Sequence, residues 1–165
     1  MSDAEDDTLC ATLQQEELEV LESIYPDYII DSNNDSVRLE IPVELDIPQQ
    51  VFIVADYADA ASSALPRITL AYLPPILLDV TLPKVYPLHK APVINSVHTR
   101  YAWLPDENKV TEILEAAWLK GEGALCNWVE LLRSGEFINQ LHLVDALGNI
   151  RYGLFTVNLF YYSNH

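Results

Sequence analysis

The sequence predicts an α+β domain: an N-terminal helix, an antiparallel meander of about four strands, a Tyr-Pro loop and two C-terminal helices. Three observations carry this. Helical periodicity is confined to the two ends, two-residue alternation fills the middle, and no helical segment separates consecutive strands. At 165 residues and 50% apolar content, the chain can bury one core without disulfides or metal.

The elements follow in order. Residues 1–11 read as an acidic, flexible leader before a domain spanning 12–147. Thr12 and Gln15 have capping-box spacing, which places the first helix start there. Leu18, Leu21, Ile24 and Tyr25 recur at helical period and are expected to face the core, while Glu16, Glu19 and Glu22 are expected in solvent. Pro26 ends the helix. Val37, Leu39, Ile41, Val43, Leu45 and Ile47 alternate with mostly polar neighbours, the mark of a strand with one buried face. Pro42 implies a free edge or a bend there, because proline has no ladder donor. Residues 51–55, 67–72 and 76–82 are further strands, the last two split by Pro74-Pro75, with a loop over 56–64. Short connections make the sheet antiparallel.

A segment punctuated by Pro83, Tyr86, Pro87 and Pro92 follows, then a short extended piece over 93–97. Val110, Ile113, Leu114, Ala117 and Trp118 form the apolar stripe of the next helix, with Pro105-Asp106 at its start and Gly121 at its end. Leu125, Trp128, Val129 and Leu132 repeat the pattern, and Phe137, Ile138 and Leu141 extend it beyond Gly135. Residues 148–165 form an aromatic tail with no acidic residue. Its alternation at Phe155, Val157, Leu159 and Tyr161 is strand-like, and edge strand, sheet packing, partner contact, disorder and a stretch foreign to the domain all stay open.

Charge narrows the function classes. Asp and Glu number 25 against 9 Lys and Arg, for a net charge of −16. Residues 1–50 hold most of the acid and one basic residue, Arg38. So little basic material disfavours nucleic-acid binding and attraction to an anionic membrane. No apolar run approaches a membrane span of about 20 residues. An acidic N-terminus without an apolar signal region argues against secretion, and two cysteines suit a reducing, cytoplasmic setting, with the nucleus a second location.

The residues offer little chemistry. There is no glycine-rich phosphate loop, no H-E-x-x-H, no C-x-x-C and no G-x-S-x-G, so no catalytic, metal or cofactor residue is assigned. Cys126 lies on an apolar helix stripe, where a thiol is ordinarily small filler; Cys10 is incidental. His98 near Trp103 is more often core or rim than a site residue. A free edge at Pro42 and the apolar tail leave a dimer open.

The segments Gln14-Gln15-Glu16-Glu17-Leu18-Glu19-Val20-Leu21-Glu22-Ser23-Ile24-Tyr25, Tyr86-Pro87-Leu88-His89-Lys90-Ala91-Pro92 and Leu125-Cys126-Asn127-Trp128-Val129-Glu130-Leu131-Leu132 resemble the first helix, the Y-P-x-x-x-P-P signature and the closing helix of the RWD domain. Ala91 replaces the first of the signature's two final prolines. The run Leu73-Pro74-Pro75-Ile76-Leu77-Leu78-Asp79-Val80-Thr81-Leu82-Pro83, followed by Tyr86-Pro87 and then Trp103-Leu104, is similar to the N-terminal RWD domain of RING-between-RING ubiquitin ligases of the ring finger protein 14 type.

The resemblance implies the fold of ubiquitin-conjugating enzymes without their active site. Residues 93–104 hold neither a His-Pro-Asn element nor a nucleophilic cysteine, and no zinc-binding cysteines follow, so the chain reads as an isolated RWD domain, a truncated gene product or a fragment. The implied function is non-catalytic protein docking in ubiquitin or translation control, with a large ribosome-associated HEAT-repeat scaffold as partner. Tyr86, Pro87 and Pro92 are then scaffold residues. Glu16, Glu17, Glu19 and Glu22 form an acidic helix suited to a basic partner. One rival is an inactive conjugating-enzyme variant that binds ubiquitin or assists a conjugating enzyme; a thiol enzyme using Cys126 is the other.

Overall fold

The computed structural model describes residues 3–53, 67–99, 103, 104, 106–141 and 150–152. Helix α1 spans Asp3–Ile24, and a 3-10 turn over Pro26–Tyr28 leads into the sheet. Strands β1 (Ile29–Ser32), β2 (Ser36–Ile53), β3 (Arg67–Thr81) and β4 (Val93–Thr99) pair antiparallel in the order β1-β2-β3-β4. Helices α2 (Glu107–Ala117), α3 (Leu125–Arg133) and α4 (Glu136–Gln140) follow. The α+β meander expected from the alternation is thus present.

The inward residues of the alternation build the core. Val37, Leu39, Ile41 and Val43 of β2 stand beside Leu73, Ile76, Leu78 and Val80 of β3, and all are buried. The pairing sets Leu39 opposite Leu78 and Ile41 opposite Ile76, so both strands turn the same face inward. Helix α3 lies against β2 and α2 against β4. Leu125, Trp128, Val129 and Leu132 of α3, with Val110 and Leu114 of α2, close over the sheet.

Four expectations need correction. Residues 3–11 are helical, not a flexible leader. Asp3, Glu5 and Asp6 in the first turn favour the positive end of the helix dipole, Asp6 Oδ2 lies 3.0 Å from His89 Nε2, and Cys10 further along is fully buried. Thr12 and Gln15 therefore form no capping box: Thr12 Oγ1 donates to the Thr8 carbonyl at 3.1 Å, and Gln15 Nε2 donates to Glu19 Oε1 at 3.1 Å. Ile24, expected in the core, is 56% exposed. Pro74-Pro75 does not split β3. The β2–β3 register shifts between Ile41 and Val43, where Pro42 sits opposite the two prolines, and an irregular step in the ladder requires no proline donor.

Other expectations meet the structure in part. Val51–Ile53 continues β2 rather than starting a new strand. Asp106 caps α2 by accepting from the Asn108 amide at 3.0 Å. Trp118 ends α2 in an extended conformation, and its indole N–H donates to the Glu122 carbonyl at 2.9 Å. Gly135, at φ 76°, breaks the apolar pattern into α3 and α4. A short strand β5, Ile150–Tyr152, pairs parallel with Val51–Ile53. The loop expected over 56–64 and the alternation at 155–161 lie outside the described residues.

A polar cluster ties α1 and the following turn to α3. The Tyr25 hydroxyl donates to Glu130, Arg133 donates to Glu130 at 3.0 Å and to Glu44 at 2.7 Å, and the Tyr25 and Tyr28 rings stack at 5.4 Å. Burial and the hydrogen bond to Glu130 push Tyr25 up to about 12. The Tyr25 hydrogen bond and Arg133 hold Glu130 below its usual value. The two signs give opposite limbs. The Tyr25 contribution is complete below pH 10 and is lost as pH rises towards 12; the Glu130 contribution is complete above about pH 4.5 and is lost as pH falls through the lowered value. Thermal midpoints measured across pH should therefore fall less steeply on both limbs in Tyr25→Phe than in the parent chain. Parallel curves would remove this cluster from the account.

Candidate functional site

The Tyr-Pro segment is anchored by α1. Gln14, the buried polar residue of that helix, donates through Nε2 to the carbonyls of Pro83 at 2.7 Å and Tyr86 at 2.9 Å. Tyr86 is fully buried and joined to Pro87 by a cis peptide; Pro87 and Pro92 are buried as well. The Tyr86 hydroxyl donates to Glu17 Oε2 at 2.6 Å and accepts from the Ala124 amide at 2.7 Å. Glu17 Oε1 accepts from the Leu125 amide at 2.7 Å. One carboxylate thus joins α1, the Tyr-Pro segment and the first turn of α3, where backbone donors lack helical partners. The Gly121 amide donates to the Pro87 carbonyl at 2.8 Å, adding the α2–α3 connection. Burial, then the nearby Glu17 carboxylate, raises the Tyr86 hydroxyl well above the usual tyrosine value. It is a fixed donor, not a proton-transfer group.

This geometry separates the four acidic candidates. Glu17 has both oxygens committed inside the protein and is only partly exposed. Its carboxylate is used within the fold, which sets it apart from the other three. Glu16, Glu19 and Glu22 are exposed on the solvent side of α1. Glu19 and Glu22 line a groove of 920 Å³ between α1 and the β1–β2 turn, where Gln15, Asn33, Asn34 and Asp35 also contribute. From residue 3 to residue 24 the helix holds eight Asp or Glu and no Lys, Arg or His. The groove is therefore a polar trough with acidic walls, suited to cationic side chains.

The other candidates fall outside this groove. Cys126 is half-buried; burial first, then Glu17 and Glu130, pushes its thiol up, the opposite of an activated nucleophile. Cys10 is fully buried. His98 Nδ1 lies 3.2 Å from Glu107 Oε2 on the exposed rim. His89 Nε2 lies 3.0 Å from Asp6 Oδ2 and fastens the first turn of α1 to the Tyr-Pro segment. Among the described residues, no three His, Cys, Asp or Glu cluster as a metal site, and no helix is long and apolar enough to cross a membrane.

Sequence reasoning missed Gln14 and the inward role of Glu17. A signal existed for Gln14, which sits four residues before Leu18 on the buried stripe. A polar side chain there needs a partner. No such signal marks Glu17, whose partners lie 69 and 108 residues along the chain.

The comparisons with known proteins agree with this architecture. No curated protein and no solved structure is significantly similar to the chain. The family model of the RWD domain matches residues 12–134, from the middle of α1 to the end of α3. That match covers most of the chain, includes the Tyr-Pro segment and its anchors, and places the chain in the RWD domain family.

Proposed function

We propose that the chain is a non-catalytic docking module that presents the solvent side of α1 to a basic surface of a partner protein. RWD domains are protein-interaction modules with an E2-like fold, and that much follows from membership. The observation carrying the finer reading is that Glu16, Glu19 and Glu22 lie exposed on a helix without one basic residue, with Glu19 and Glu22 beside a groove open to solvent. Charge of one sign along a groove steers and orients a complementary partner.

The partner class we favour is a ribosome-associated HEAT-repeat scaffold in the cytoplasm, and the parent a RING-between-RING ubiquitin ligase. Their support is the likeness of residues 73–83 and 103–104 to that subfamily. The test is affinity capture from cytoplasmic extract with the full chain and with Glu16→Lys/Glu19→Lys/Glu22→Lys as baits. The reversal places three cations where three carboxylates stood, without touching the bonds of Glu17. Capture of the scaffold should fall at least tenfold. Equal capture by both baits would remove this face from docking. Capture of ubiquitin or a conjugating enzyme instead would favour the inactive conjugating-enzyme variant.

A further inference from the structure

We propose that α1 carries an apolar contact strip beside its acidic side, and that its occupant is a basic amphipathic helix of the partner protein. The inference rests on the docking reading above and specifies the partner's chemistry. Leu9, Leu13, Val20 and Ile24 fall within one narrow arc of the helix, at spacings of four, seven and four residues. Three of them are open to solvent: Leu9 at 42%, Val20 at 48% and Ile24 at 56%. The buried residues Cys10, Gln14, Leu18 and Leu21 occupy the neighbouring arc, so the strip lies between the core side of the helix and its acidic side.

Two shallow depressions touch this strip, one at Leu9 and one at Leu13 and Val20. One depression of 560 Å³ is lined by Ala4, Glu5, Thr8, Leu9 and Thr12. A second, of 280 Å³, lies between Leu13, Glu16, Glu17 and Val20 on α1 and Pro87, Gly121 and Gly123 across from them. Gly121, with nothing within 4 Å of where a Cβ would stand, leaves room there for an incoming side chain, whereas Gly123 packs on the Glu17 carboxylate. Together the positions run about 22 Å along the helix, roughly four turns. Knobs on a partner helix recur at the same three- and four-residue steps.

Charge selects the occupant. Glu5 and Glu16 border the strip, and α1 has no cation to pair with them. A second copy of this chain would bring two such helices together, with eight carboxylates on each side and a net charge of −16 per chain. A strand gains little, because a helix face offers no unpaired backbone groups. A helix with an apolar stripe flanked by Lys and Arg satisfies both the depressions and the carboxylates.

The probe is a synthetic four-turn leucine–lysine peptide of helical period, titrated into the isotope-labelled full chain. Its glutamate counterpart and an oligolysine of equal charge are compared. The leucine–lysine peptide should shift the amides of residues 9, 13, 20 and 24. Its affinity should fall at least tenfold in Leu9→Gln/Val20→Gln/Ile24→Gln, with unchanged helicity and thermal midpoint. Oligolysine should bind more weakly and ignore that variant. Equal leucine–lysine binding by variant and parent would overturn the strip, and equal binding of the glutamate peptide would overturn the basic occupant. If the variant without peptide shifts resonances of residues 153–165, the chain's own tail is the occupant and the proposal falls. Each result is separable from the docking reading, which stands or falls on the reversal of Glu16, Glu19 and Glu22.

Discussion

Glu17→Ala should lower stability by about 3–4 kcal/mol, and Tyr86→Phe by about 2–4 kcal/mol. The alanine variant strands the Tyr86 hydroxyl and the Leu125 amide, and removes a carboxylate from the first turn of α3. The phenylalanine variant keeps the ring but leaves Glu17 Oε2 and the Ala124 amide without their partner. The residues share one bond, so their effects should not add. A double-mutant cycle by denaturant unfolding should give a coupling of about 1 kcal/mol or more. Strict additivity would mean that the carboxylate and the hydroxyl act independently, and the anchor would be lost from the account. Gly123→Ala provides a steric check, because a Cβ there would lie 2.9 Å from Glu17 Cδ, which those hydrogen bonds hold in place.

Gly135→Ala should cost about 2–4 kcal/mol, which is roughly 4–16 °C of thermal midpoint in a chain of this size. Two terms combine. Gly135 sits at φ 76°, in the left-handed region that an L side chain adopts at a cost of about 1–2 kcal/mol. Its added Cβ would also stand 2.8 Å from the Glu44 carbonyl oxygen on β2, a backbone atom that cannot swing aside. Gly121→Ala separates the terms, because Gly121 has φ 90° but nothing within 4 Å of its added Cβ. It should lose about 1–2 kcal/mol through conformation alone. Equal losses at the two glycines would show that the approach of α3–α4 to β2 contributes nothing.

The sheet was legible because its signal is local. A two-residue period over Val37–Val43 assigns each side chain to a face, and those residues are the ones buried. The stripe of Leu125, Trp128, Val129 and Leu132 was legible for the same reason. What escaped depends on distant partners. Pro74-Pro75 looked like a break because the compensating irregularity at Pro42 lies on another strand. The start of α1 was set nine residues late because a capping box can be spelled inside a helix, where Thr12 bonds back to Thr8 instead. The candidate site was half legible. Periodicity separated Glu16, Glu19 and Glu22 from the core face, but not Glu17, which the Tyr86 hydroxyl and the Leu125 amide draw inward.

The central claim is that one helix divides its carboxylates between fold and partner. The most direct measurement takes thermal midpoint and scaffold capture on the same two proteins, Glu17→Gln and the triple reversal of Glu16, Glu19 and Glu22. Glutamine keeps the size of Glu17 and one oxygen acceptor, so that variant should stay folded at low temperature. The account predicts that Glu17→Gln melts earlier yet captures the scaffold as the parent does, while the triple reversal keeps its midpoint and loses capture. A folded Glu17→Gln that fails to capture, or a triple reversal that captures normally, would contradict it.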